Sequence, residues 1–122
     1  MKSNNLIQEK SFRFAVKSVY AYKELINVKR EYVLSKQFLR SSTSIAANIE
    51  EALGAQSSKD FLSKISISYK ETRESLFWIK LLMETSYLDK NLSEELRNDA
   101  RELLRIIGSI QLTMKKKIKQ NS

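Results

Sequence analysis

Arg40, Ser44, Asn48 and Glu51 follow one another at steps of four, four and three, a spacing that places them on one line along a helix. Ser41 and Ala47 flank that line, so this face is small as well as polar. Further along, Ile67, Glu71, Glu74, Trp78 and Leu81 form a second line, with Lys70 and Phe77 beside it. An arginine can grip a carboxylate through two parallel hydrogen bonds, and an asparagine can donate and accept at once. Glu51, Glu71 and Glu74 are the residue types that bind metals on facing bundle helices, and Ser44 with Lys70 is a nucleophile–base pairing in principle. The chain has no His and no Cys, which removes the commonest general base, the commonest transition-metal ligands and the Glu-x-x-His pairs of di-iron sites. Ser and Lys are too abundant for their pairing to be specific. No catalytic, metal or cofactor site is expected. Two Ser and an Asn are poor choices for a free helix surface, so the two lines read as a packed network between helices or subunits.

The elements that must carry these residues are helices. The 122 residues include no Pro and only 2 Gly, with 42% hydrophobic and 30% charged. That composition suits one domain, spanning 1–122, with long helices and few enforced turns. A first helix is expected over about 5–28, facing inward through Phe12, Ala15, Val19, Tyr22 and Ile26, with a second apolar edge at Phe14, Ala21, Leu25 and Val28. A second covers about 33–53 with a stripe of Leu34, Phe38, Ile45, Ile49 and Ala52, and ends at Gly54, where a left-handed residue would sit. Ser57 caps a third helix that starts near Ser58 and runs to about 86 through Phe61, Ile65, Tyr69, Thr72, Leu76, Ile79 and Met83. The fourth, capped by Asn91 or Ser93, repeats Leu96, Ala100, Leu103, Ile107, Ile110 and Met114, with Gly108 inside it for close packing. Four such helices joined by short connections predict an all-α, antiparallel up-down-up-down four-helix bundle. Their apolar faces are wider than a two-helix coiled-coil seam.

Lys and Arg total 22 against 14 Asp and Glu, a net charge of +8. Such an excess attracts phosphate-bearing polymers. The C-terminal tail of about 115–122 holds the densest run, Lys115, Lys116, Lys117 and Lys119, with Lys29, Arg30 and Lys36 as secondary candidates. No recognised RNA-binding motif accompanies them, and no aromatic residue interleaves the tail. The apolar edge at Trp78 is wider than one bundle needs, which predicts a homo-oligomer in contact through the third helix. No apolar run is long enough to span a bilayer, and the first ten residues lack a signal-peptide core. A cytoplasmic protein with no membrane partner and no small-molecule substrate is expected.

Gln37, Arg40-Ser41, Ser44-Ile45, Asn48-Ile49 and Glu51, then Lys70-Glu71, Glu74 and Trp78, resemble the four-helix-bundle proteins encoded in bacterial 23S rRNA intervening sequences, also called the S23 ribosomal-protein-like family. The resemblance runs from Phe12 through the fourth helix. Many members carry Gly where this chain has Ala46 and Ala52; both departures leave the polar line intact. The resemblance implies a four-helix bundle assembled into a ring, commonly a pentamer. A related accessory protein of diversity-generating retroelements forms a basic pentameric barrel that binds nucleic acid and a reverse transcriptase. By analogy, the expected function is a nonenzymatic basic oligomer that binds RNA or DNA. The alternative is a scaffold for protein partners with no nucleic-acid role.

Overall fold

The computed structural model describes residues 2–121, with side chains from Leu6 onward; residues 1 and 122 of the expected domain lie outside the described residues. Four helices follow in order: α1 (Lys2–Asn27), α2 (Leu34–Leu53), α3 (Ser58–Glu84) and α4 (Lys90–Gln120). Each packs on two others in the cycle α1–α2–α3–α4–α1, and among the described residues the backbones of the diagonal pairs stay apart. Paired residues run in opposite senses. Glu51 meets Lys64 while Arg40 meets Glu71 and Glu74; Gln111 meets Ser66 while Gly108 meets Tyr69; Lys10 meets Glu102 while Lys17 meets Glu95. Neighbouring helices are therefore antiparallel, and no strand occurs among the described residues.

The core is built from Ile7, Phe14 and Leu25 of α1, Phe38, Ile45 and Ile49 of α2, Ile65, Ile79 and Leu82 of α3, and Leu96, Leu103 and Ile107 of α4. Each such side chain removed from water contributes about 1.5–3 kcal/mol. The α2 and α4 stripes agree with the spacing. On α1 the expected second edge, through Phe14, Ala21 and Leu25, is the one that turns inward, and the line through Phe12 does not. The buried line is Ile7, Ser11, Phe14, Ser18, Ala21 and Leu25, while Phe12 and Val28 are each 65% exposed. Two serines interrupt the hydrophobic repeat, and both are satisfied locally: Ser11 Oγ donates to the Gln8 carbonyl at 3.1 Å and Ser18 Oγ to that of Phe14 at 2.8 Å. A hydroxyl bonded to its own helix can be buried at little cost, so a count of apolar residues ranked this edge second.

The turns also depart from expectation. Gly54 has φ −96°, outside the left-handed region. The residues that enter that region are Arg30 (φ 58°) and Ser86 (φ 68°). Around Ser86 the amides of Ser86 and Tyr87 donate to the Met83 and Leu82 carbonyls at 3.0 and 2.9 Å, the bonding pattern that closes a helix through a left-handed residue. Ser57 caps α3 as expected, accepting from the Asp60 amide at 3.0 Å. For α4 the cap is Asp89, which accepts from the Leu92 amide at 2.8 Å. Asn91 lies inside the helix, and Ser93 is buried with its hydroxyl unpartnered among the described residues. The start of α2 is held by Glu31, whose carboxylate accepts from the amides of Val33, Leu34 and Ser35 at 3.1, 3.0 and 2.6 Å. Burial pushes this carboxyl up, but the three amides outweigh it and hold it below the ordinary carboxylate range. Gly108 is where α4 meets the Tyr69 ring: a Cβ there would stand 3.2 Å from Tyr69 Cε1.

Candidate functional site

The small face of α2 lies directly on α3. Ser41, Ser42, Ser68, Thr72 and Ser75 are all fully buried. Ser75 Oγ stands 3.0 Å from Ser41 Oγ and 2.9 Å from the Glu71 carbonyl, and Ser42 Oγ is 3.3 Å from Ser75 Oγ. Ser68 donates across the interface to the Ile45 carbonyl at 3.0 Å. Short side chains bring the helices close, and each hydroxyl finds an acceptor on one helix or the other.

Above these hydroxyls, on the outer rim, Arg40 forks between two carboxylates of α3. Its Nη1 lies 2.8 Å from Glu71 Oε2, and its Nη2 pairs with Glu74. The Trp78 indole N–H donates to the same Glu74 carboxylate at 2.8 Å. That indole bond, followed by the Arg40 guanidinium, holds the Glu74 carboxyl below its ordinary range despite partial burial. Glu74 and then Glu71 in turn raise the Arg40 pKa. Arg40 and Glu74 thus each favour the other's charged form. The remaining members of the line do not join them. Asn48 bonds back along α2, its Nδ2 donating to the Ser44 carbonyl at 2.8 Å and lying 3.2 Å from Ser44 Oγ. Glu51 is exposed and pairs with Lys64 at 3.1 Å. Lys70 and Ile67 are exposed on α3.

This arrangement clamps helices and offers little to a reaction. Glu71 and Glu74 meet on Arg40 while Glu51 stands apart on Lys64, and no group of three acidic side chains able to hold a metal occurs among the described residues. Trp78 is half-buried against the core of its own chain with its ring edge-on to Phe77, centroids 4.9 Å apart. The ring that looked uncovered from the sequence is thus largely packed within one subunit. The exposed apolar surface lies elsewhere, at Phe77 and Ile67 and, more extensively, along Phe12, Val16 and Tyr20 on the outer side of α1.

The C-terminal lysines stand on the final turns of α4 and are exposed. Helix continues to Gln120, so the segment expected as a tail is an ordered rod end. Lys117 and Lys119 occupy the last turn, where cations complement the helix dipole. Lys115, Lys116 and Lys117 form no ion pair among the described residues. Of the secondary candidates, Lys29 and Arg30 lie in the α1–α2 connection and Lys36 in the first turn of α2, all exposed.

A family model described as 23S rRNA-intervening sequence protein matches residues 3–109. The chain belongs to this family. The matched segment contains the Arg40–Glu71–Glu74 clamp, nearly all of α1, the whole of α2 and α3 and the first two-thirds of α4, and stops short of Lys115. The chain is also similar to a crystal structure of a protein of unknown function from the S23 ribosomal protein family of Bacteroides thetaiotaomicron VPI-5482. The two are 44% identical over 89% of this chain and 97% of that one, with a TM-score of 0.88. Comparison with curated proteins gave no match. Neither the family description nor the relative's names a reaction. Among the described residues no helix of this intervening-sequence family member is long and apolar enough to cross a membrane.

Proposed function

We propose that this chain is a nonenzymatic, basic homo-oligomer that binds RNA or other nucleic acid through its phosphates. The observation that carries the reading is the run Lys115, Lys116 and Lys117, held exposed on a helix with no acidic partner among the described residues. The clamp at Arg40 supports it from the other side, since its charges are spent on each other and leave nothing for chemistry. Oligomerisation rests on the apolar line Phe12, Val16 and Tyr20, exposed at 65, 40 and 67%; a patch of this kind is a contact surface in most proteins that carry one. The family resemblance favours a five-membered ring, which would multiply the charge of +8. No cofactor is expected, and the compartment is the cytoplasm.

Molar mass in solution, measured with and without RNA at about 50 and 200 mM salt, tests the reading. The expected result is a multiple of the subunit mass that gains RNA at the lower salt and loses it at the higher. Binding that ignores salt, or no binding at low salt, overturns it. The same α1 line favours a second reading, a scaffold that captures a protein partner. Removing the residues after Met114 separates the two: loss of nucleic-acid binding by an intact oligomer supports the first, and undiminished capture of a protein partner supports the second.

A further inference from the structure

The outer face shared by α3 and α4 carries cations that the rest of the molecule leaves unmatched. Ser66 and Gln111 meet across these helices at 3.0 Å, and Gly108 lies against Tyr69. Seven residues advance a helix by two turns with a drift of only about 20°, so these contacts fix what lies further along. From Ser66 the sevens lead to Arg73 and Lys80; from Gln111 they lead to Leu104 and Arg97; from Gly108 they lead back to Arg101 and forward to Lys115. Arg73, Lys80, Arg101 and Lys115 are exposed and Arg97 is half-buried. None of the five forms an ion pair among the described residues.

Most acids of the same two helices are committed elsewhere. Glu71 and Glu74 turn to Arg40 of α2. Glu95 and Asp99 hold Lys17 of α1 at 2.9 and 2.8 Å, and Glu102 holds Lys10 at 3.1 Å. Among the described residues, the exposed acids of these helices that form no ion pair are Asp60 at the start of α3 and, near the other end of the face, Glu84 and Glu94, the last of them seven residues before Arg101. Between Arg73 and Lys80 stands Phe77, 56% exposed. Its ring is propped edge-on by Trp78 with 73° between the planes, and Trp78 is itself tied to Glu74. A flat apolar ring, held still and bordered by cations, is the combination that takes a backbone phosphate and an unpaired base together.

We infer that the α3–α4 face binds single-stranded nucleic acid, with Arg73, Lys80, Arg97 and Arg101 meeting phosphates and Phe77 stacking on a base. The inference rests on the nucleic-acid reading above but moves its centre from the end of α4 to the wall of the bundle. A duplex offers phosphates and no free base face, and an anionic lipid surface offers neither the base nor a use for a single propped ring. Both therefore serve as comparisons.

The test is fluorescence anisotropy of the full chain with a labelled oligouridine of about 12 nucleotides, a duplex of the same length, and phosphatidylglycerol vesicles. The variants are Phe77→Ala, Arg73→Glu with Arg101→Glu, and Lys116→Glu with Lys117→Glu, with helical content checked by circular dichroism. Phe77→Ala is expected to weaken oligouridine about tenfold and leave the duplex unchanged. The Arg73/Arg101 pair is expected to weaken oligouridine by more than tenfold and flatten its salt dependence. If the wild-type chain binds and only the Lys116/Lys117 pair weakens it, the wall site is overturned while the broader reading stands. Equal loss of duplex and oligouridine with Phe77→Ala silent overturns the single-strand assignment. Loss of vesicle binding alone in the Arg73/Arg101 pair assigns the face to lipid and overturns the inference. No binding of any nucleic acid by the wild type overturns both.

Discussion

The two flanks of α3 handle charge in opposite ways. On the flank toward α2, Arg40 is fixed between Glu71 and Glu74 over a floor of buried hydroxyls. On the flank toward α4, Arg73, Lys80, Arg97 and Arg101 form no ion pair among the described residues, and an acid beside them, Glu94, lies toward one end. The first flank is complete within one chain, and its residues are chosen for closeness and mutual neutralisation. The second is incomplete, since like charges on adjacent helices repel and are retained at some cost to stability. One helix thus separates a surface that holds the bundle together from a surface whose cations form no ion pair among the described residues.

Substitutions at the two flanks sharpen this contrast. Ser75→Leu forces a branched chain between Ser41 and Ser42, where no side chain is exposed; overpacking of this kind costs about 1–3 kcal/mol, read from the urea midpoint. Lys80→Leu on the opposite flank is expected to change stability by less than about 0.5 kcal/mol. Similar losses at both sites would break the comparison. Next in size is Glu31→Ala, which strips three amides at the start of α2 of their acceptor and costs about 1–2 kcal/mol. Because the folded Glu31 carboxyl lies below its ordinary range, its contribution is full at and above that range. It is lost as pH falls through the folded value. The wild type should therefore lose stability in acid more steeply than Glu31→Ala.

Arg40→Ala is expected to cost no more than about 1 kcal/mol, since the clamp sits on the partly solvated rim. Its clearer signature is the Glu74 carboxyl rising toward the ordinary range, followed by NMR titration. The sign is the same as for Glu31: Glu74 stabilises above its unfolded pKa and ceases to do so as pH falls through the depressed folded one. The smallest effect belongs to Gly54→Ala, a gain of about 0.4–1 kcal/mol in thermal or urea unfolding. The φ of −96° suits an L-residue, and an added Cβ would meet nothing nearer than the Glu51 carbonyl at 3.8 Å.

The bundle was legible because α2 and α4 place apolar residues at regular steps and no proline interrupts the chain. The inward face of α1 was only half legible: Phe14, Ala21 and Leu25 stood out as a second edge, but Ser11 and Ser18 on the same face carry polar labels yet satisfy themselves on their own helix. The clamp was half legible: the line through Arg40 and the line through Glu71 could be drawn, but their meeting depends on the register of α2 against α3. Asn48 and Glu51 look equivalent to Arg40 in the sequence, and rotation about the helix axis sends their bonds elsewhere. Trp78 was misplaced for a similar reason, since a ring on the rim of a hairpin can fold onto its own core. The α3–α4 cations went unnoticed because each is solitary along the chain, and only the pairing of two antiparallel helices collects them. The capping carboxylate of Glu31 had no pattern to announce it, standing in a connection without glycine or proline.

The closing contact of the cycle has a kinetic consequence. The α1–α2, α2–α3 and α3–α4 interfaces join elements adjacent in sequence, but α1 meets α4 through Lys10 and Lys17, whose partners Glu102 and Asp99 lie 92 and 82 residues away. Bringing such distant segments together carries the largest loop entropy in the molecule, so this seam should form after the nearest-neighbour hairpins and be little developed at the folding barrier. Weakening it at Lys17→Ala should leave the refolding rate nearly unchanged and accelerate unfolding. The lifetime of the folded chain would then be governed by the lysines of α1, far from the clamp that looks like its centre.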